Sequence, residues 1–200
     1  PSKFGHGLDL LKIGIQGRKL RAGEERRAVL TLLIDTSGSM NTPDRIDLIK
    51  KSLRMLVEAL NPRDTLAIVQ YDSHARLVLE MTSASDKKKI LAAIDALQCG
   101  GSTNLEEGMR RAYEIAAGNF TAGAENRVLL LSDGVANLGT TSAEVVLATV
   151  ETFRKQGILC SVLGFGMGTY NDIMLEALAD KGDGTYRFDG NEEDARDVFV

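Results

Sequence analysis

The stretch VLTLLIDTSGSMNTP, residues 29–43, decides how this chain is read. Residues 29–34 are apolar except for Thr31, a run of strand length with no polar face, which predicts a strand buried on both sides as in a parallel sheet. The run then meets Asp35, Ser37 and Ser39, three oxygen-bearing side chains at alternate positions. That spacing lets the side chains converge on one side of the turn, with Gly38 permitting the bend. Thr42 and Pro43 supply a cap and a first helical residue, and Ile46, Ile49, Leu53, Leu56, Val57 and Leu60 make one apolar helix face.

Outward from this stretch, short apolar runs alternate with segments of helical period. TLAIVQY (65–71) and ARLVLEM (75–81), joined by DSH, read as a hairpin that makes one edge strand antiparallel. Ser85 opens a helix with Ile90, Leu91, Ile94 and Leu97 on one face, and a second helix follows CGGST. RVLLLSDG (127–134) is a third buried strand, followed by a helix from about Ser142 that Gly157 stops. ILCSVLGFG (158–166), a helix from Asn171 to Gly182, the short strand TYRF and a last helical segment, NEEDARDVFV, complete the pattern. The expectation is an α/β, Rossmann-like, doubly wound fold: a mostly parallel six-stranded sheet with one antiparallel edge strand and helices on both faces. Residues 1–26, where LLKIGIQG alternates, read as an N-terminal β extension carrying an extra strand, and 27–200 as the domain proper.

Composition bounds the function. With 44% hydrophobic and 26% charged residues in 200, the chain suits one globular domain with a sizeable core. A net charge of −4 with both signs mixed along the chain argues against nucleic acid as a partner, and Arg26-Arg27 and Lys87 to Lys89 read as solvated faces. No apolar run approaches the roughly 20 residues of a membrane span, so no direct membrane insertion is expected of this stretch. The chain opens at Pro1 without a signal-like region and reads as a segment of a longer protein, so nothing in it fixes a compartment. Cys99 and Cys160 are too few for a disulfide framework, and neither has a histidine near it in sequence to serve a nucleophile.

In open α/β sheets ligands bind beyond the carboxyl ends of the strands. Three loops there are rich in small residues and hard oxygen donors: DTSGSMN, CGGSTN and SDGVANLG. Thr103 and Asp133 would join Asp35, Ser37 and Ser39. Two carboxylates and three hydroxyls suit magnesium, with manganese or calcium as substitutes, and not zinc, which favours His or Cys. The two carboxylates balance a dication, while neutral hydroxyls leave it able to accept one more carboxylate from outside.

Each element also has a plain structural explanation. Ser37, Gly38 and Ser39 are common turn residues, Thr103 with Glu106 spells a capping box, and Asp133-Gly134 is a turn pair. The glycines of GFGMGTYND fail the dinucleotide spacing at Thr169, Met167 and Tyr170 read as plain loop residues, and His74 reads as a surface residue. A magnesium-dependent phosphatase-like hydrolase is the alternative from another class. Such sites want a second acid two residues after the first, and Ser37 stands there. A scaffold domain with no ion is the third reading.

The motifs Asp-x-Ser-x-Ser at Asp35, Ser37 and Ser39, Gly-Gly-x-Thr ending at Thr103, and Asp-Gly at Asp133 resemble the metal-ion-dependent adhesion site (MIDAS) of von Willebrand factor type A domains, shared with integrin inserted domains. The resemblance runs from about residue 27 to 200, and the leading IGIQG is similar to that of bacterial, envelope-associated members. It implies a strand order 3-2-1-4-5-6 and metal-dependent binding of a protein partner that supplies an Asp or Glu carboxylate, as in cell adhesion, without catalysis. It also favours an extracytoplasmic or cell-envelope setting.

Overall fold

The computed structural model describes residues 26–133, 140–165 and 172–189. In chain order the elements are β1 (Ala28–Asp35), α1 (Leu48–Ala59), β2 (Thr65–Tyr71), β3 (Ala75–Ser83), α2 (Lys87–Asp95), α3 (Leu105–Gly118), β4 (Glu125–Ser132), α4 (Thr140–Lys155), β5 (Ile158–Phe165), α5 (Asp172–Lys181) and β6 (Tyr186–Asp189). Their strands form one six-stranded sheet in the order β3-β2-β1-β4-β5-β6. Every neighbouring pair is parallel except β2 with β3. This is the expected doubly wound fold. The extra strand expected within residues 1–26, the last helix expected over 191–200, and Met167 and Tyr170 lie outside the described residues.

Successive residues of β1 point to opposite faces, which is why a nearly continuous apolar run was needed. On one face Leu30, Leu32 and Ile34 pack with Ile49, Leu53 and Leu56 of α1 and with Ile90 and Ile94 of α2. On the other, Leu33, Val69, Leu130 and Val162 pack with Met109 and Tyr113 of α3, Val146 and Val150 of α4, and Leu175 and Leu178 of α5. The sheet is thus covered on both sides, and its carboxyl edge is left for the loops. Tyr113 stacks on Phe153 with ring centroids 4.5 Å apart, tying α3 to α4.

Three local readings change. Asp86, not Ser85, caps α2, its carboxylate accepting from the Lys89 N–H, while the Ser85 hydroxyl bonds Ser83. Asp outcompetes its neighbour because its carboxylate also meets the positive end of the helix dipole. Asn104, not Thr103, caps α3: its side-chain oxygen accepts from the Glu107 N–H at 3.2 Å while its amide donates to Glu107 Oε2. The helix expected to begin at Pro43 instead opens with a π-helical turn, Pro43–Asp47, before α1. Both cysteines are free. Cys160 lies in the core of β5, where burial pushes its thiol up to about 12 and away from nucleophilic use.

A polar atom in the central strand is out of place. Thr31 is fully buried in the central strand, and its hydroxyl has no hydrogen-bond partner among the described residues. An unsatisfied buried hydroxyl costs about 1–3 kcal/mol, and valine has the same shape without it. Thr31→Val should therefore raise unfolding stability by about 1 kcal/mol in urea denaturation; a loss of stability would show that the hydroxyl has a partner.

Candidate functional site

β1 ends on Asp35, which has no solvent-exposed surface. Among the described residues its carboxylate is met by neutral donors. Oδ1 accepts the Ser37 N–H at 2.9 Å, an Asx turn that folds the loop back over the strand end. Oδ2 accepts the Tyr71 O–H at 3.1 Å from the end of β2 and the Ser132 O–H at 2.9 Å from the end of β4. Burial raises the Asp35 carboxyl above its ordinary range, the hydrogen bonds from Ser37 and Ser132 oppose that rise, and the charge of Asp133 adds to it. Tyr71 is pushed well up by its own burial and then by the Asp35 charge.

The loop after Asp35 brings Ser37 Oγ and Ser39 Oγ within 3.2 Å of each other. The sequence predicted this convergence from strand periodicity, but the cause is different: the Asx turn is followed by a 3-10 turn over Gly38–Met40. Gly38 is needed for closeness rather than for an unusual backbone angle. Its N–H donates to the Gly101 carbonyl at 3.0 Å, and a side chain at Gly38 would place its Cβ 3.2 Å from that oxygen.

Thr103 comes from the neighbouring loop. That loop is fastened to the first by the Gly38-to-Gly101 bond and by Gly100 N–H donating to the Thr36 carbonyl at 2.8 Å. Asn104 N–H then donates to the Asp72 carbonyl at 2.8 Å, and Ser102 and Ser73 bond through their hydroxyls at 3.0 Å. Since Asn104 is the cap, capping does not consume the Thr103 hydroxyl, and the competition implied by the capping-box spacing disappears.

Asp133 follows β4, whose register pairs Ile34 with Leu131, so it stands beside the end of β1. Its side chain is 1% exposed, and its Oδ2 accepts from Arg45 Nη1 at 2.6 Å. The same nitrogen donates to the Ser39 carbonyl at 2.8 Å. The structure thus gathers Asp35, Ser37, Ser39 and Asp133 around one point of the carboxyl edge, with the Thr103 loop clasped against them. Sequence reasoning missed Arg45, Tyr71 and Ser132. A tyrosine ending a buried strand was a signal for Tyr71, because its O–H needs a partner.

The donor chemistry fits a hard cation. Two buried carboxylates and nearby hydroxyls offer oxygen alone, and no cationic side chain among the described residues pairs with Asp35. Among those residues no group of three or more His, Cys, Asp or Glu gathers for a metal, so an ion here would depend on the hydroxyls as well. His74 is 76% exposed at the hairpin tip, 3.6 Å from Glu107, and stands apart from this cluster.

A family model described as von Willebrand factor type A domain matches residues 30–135. An uncharacterized protein of Escherichia coli K12, YfbK, is 37% identical over 199 residues, covering all of this chain but only 35% of its own length. Among solved structures, BatB of Bacteroides thetaiotaomicron superposes with a TM-score of 0.72 at 20% identity, over 86% of this chain and 94% of its own. A manganese-loaded TRAP protein of Plasmodium vivax gives 0.71 at 20% identity, over 88% and 72%.

The seating of the Thr103 loop can be tested at its glycines. Gly101 has φ of +79°, and a Cβ there would lie 2.7 Å from Ser73 Oγ, whereas a Cβ on Gly100 meets nothing within 4 Å. Gly101→Ala should lose about 1–3 kcal/mol of unfolding stability and Gly100→Ala less than about 0.5 kcal/mol. Equal losses in thermal or urea unfolding would contradict the described clasp.

Proposed function

This chain belongs to the von Willebrand factor type A family, and on that premise we propose that it is a docking module that takes a protein partner's Asp or Glu carboxylate onto a divalent cation held by Asp35, Ser37, Ser39, Thr103 and Asp133. Domains of this family commonly serve protein interaction or adhesion. The supporting observation is Asp35, a fully buried carboxylate at the end of the central strand, surrounded by neutral donors and lying beside a second buried carboxylate, Asp133. Arg45 offsets the charge of Asp133, but among the described residues no cation pairs with Asp35, so the two carboxylates leave room for a cation. Magnesium is the ion we assign, with manganese and calcium suited to the same oxygens. When bound it supplies a hard electrophile with a coordination position open to a partner.

We assign no catalysis to the site. Ser37 stands two residues after Asp35 where a hydrolase would need an acid. Among the described residues no helix is long and apolar enough to cross a membrane.

Calorimetry with magnesium and manganese tests the metal. The wild type should give a saturable heat that Asp35→Ala lacks, and equal or absent heats for both would defeat the assignment. Crosslinking pull-downs from native extract should lose their specific partner when chelator is added; a partner retained in chelator favours the metal-free scaffold. Phosphatase and nucleotide-hydrolysis assays should be flat, and robust turnover that Asp133→Ala abolishes would establish the hydrolase reading instead.

A further inference from the structure

Arg45 places a positive charge where the candidate cation donors converge. One nitrogen, Nη1, donates both to Asp133 Oδ2 at 2.6 Å and to the Ser39 carbonyl at 2.8 Å, so the guanidinium bridges the loop after β1 to the end of β4. We propose that Arg45 is a built-in counter-ion that competes with the divalent cation for Asp133, so that metal uptake requires its withdrawal and moves the turn that carries it. This inference rests on the metal reading given above.

Three features support it. The Asp133 side chain is 1% exposed, so its charge is costly to leave unanswered, and an arginine or a metal ion answers it alike. An Arg held beside a bound dication would be repelled by it in a site screened poorly by solvent, so the two exclude each other. Among the described residues the arginine is also held by less than its full donor set. Both bonds come from one nitrogen rather than from a bidentate fork, and the buried Nε has no partner among the described residues.

The arginine is mounted on an element that can shift. It lies in the π-helical turn Pro43–Asp47, whose Arg45 and Ile46 N–H groups both donate to the Thr42 carbonyl, at 3.0 and 3.1 Å. π-helical turns are rare, occur mostly as single turns and are frequent at functional sites. Letting Arg45 go frees this turn to rewind onto α1, which begins at Leu48. Side-chain charge at the site is thereby converted into backbone movement at the start of the helix.

The test uses the whole chain and manganese chloride as the probe. By calorimetry, Arg45→Met should bind manganese about tenfold more tightly than the wild type, and Arg45→Lys, which keeps the charge without the guanidinium reach, should gain less. In chelator Arg45→Met should melt below the wild type, because Asp133 has lost the charge of Arg45, and saturating manganese should remove that deficit. In the wild type alone, hydrogen exchange at amides 44–47 should change on adding manganese. Manganese binding by the wild type with equal or weaker affinity in both variants, or unchanged exchange at 44–47 in the loaded wild type, overturns the proposal while leaving the metal reading intact. No binding by folded wild type and folded variants overturns both.

Discussion

A carboxylate sealed at the end of the central strand is the constraint on which the site depends. Burying an ionised Asp costs several kcal/mol unless its oxygens are satisfied, and Asp35 has no solvent to satisfy them. The donors come from its own loop, from β2 and from β4, the two strands that flank β1 in the sheet. The parallel register that sets Asp35 opposite Tyr71 is therefore also what makes the buried charge tolerable. Tyr71 in turn lies beneath α3, where Gly108 leaves no room for a Cβ, which would fall 2.9 Å from the ring. The helix that starts just after Thr103 thus rests on the residue that holds Asp35.

From that anchor the carboxyl edge is assembled by short backbone bonds rather than by large side chains. Gly38, Gly100 and Asn104 each donate an N–H across a loop boundary. Small residues there are a packing requirement, because the two loops touch main chain to main chain. Rigid placement of the hydroxyls follows, and rigidity is what lets weak neutral oxygens act together. Arg45 is the exception. It reaches the site from a π-turn, and its partner Asp133 lies 88 residues away in sequence.

Much of this was legible before any coordinates. Apolar runs located the strands, helical periodicity located the main helices, and Asp35, Ser37, Ser39, Thr103 and Asp133 stood out as oxygen donors in the loops expected at the carboxyl edge. The strand order came from family resemblance and not from the residues, since periodicity carries no information on which strands adjoin. Caps were misread where several polar residues sat together: Ser85 and Asp86, or Thr103 and Asn104, offer interchangeable acceptors until the backbone path selects one. The π-turn was hidden because its residues have ordinary helical character, and Arg45 and Tyr71 were hidden because their meaning lies in partners distant in sequence.

The central claim is that these oxygens hold a metal ion. Anomalous diffraction from crystals of the chain soaked in manganese tests it most directly. One strong peak enclosed by Asp35, Ser37, Ser39, Thr103 and Asp133 is expected, absent from crystals of Asp35→Ala. A peak only elsewhere, or the same peak in the variant, would contradict it.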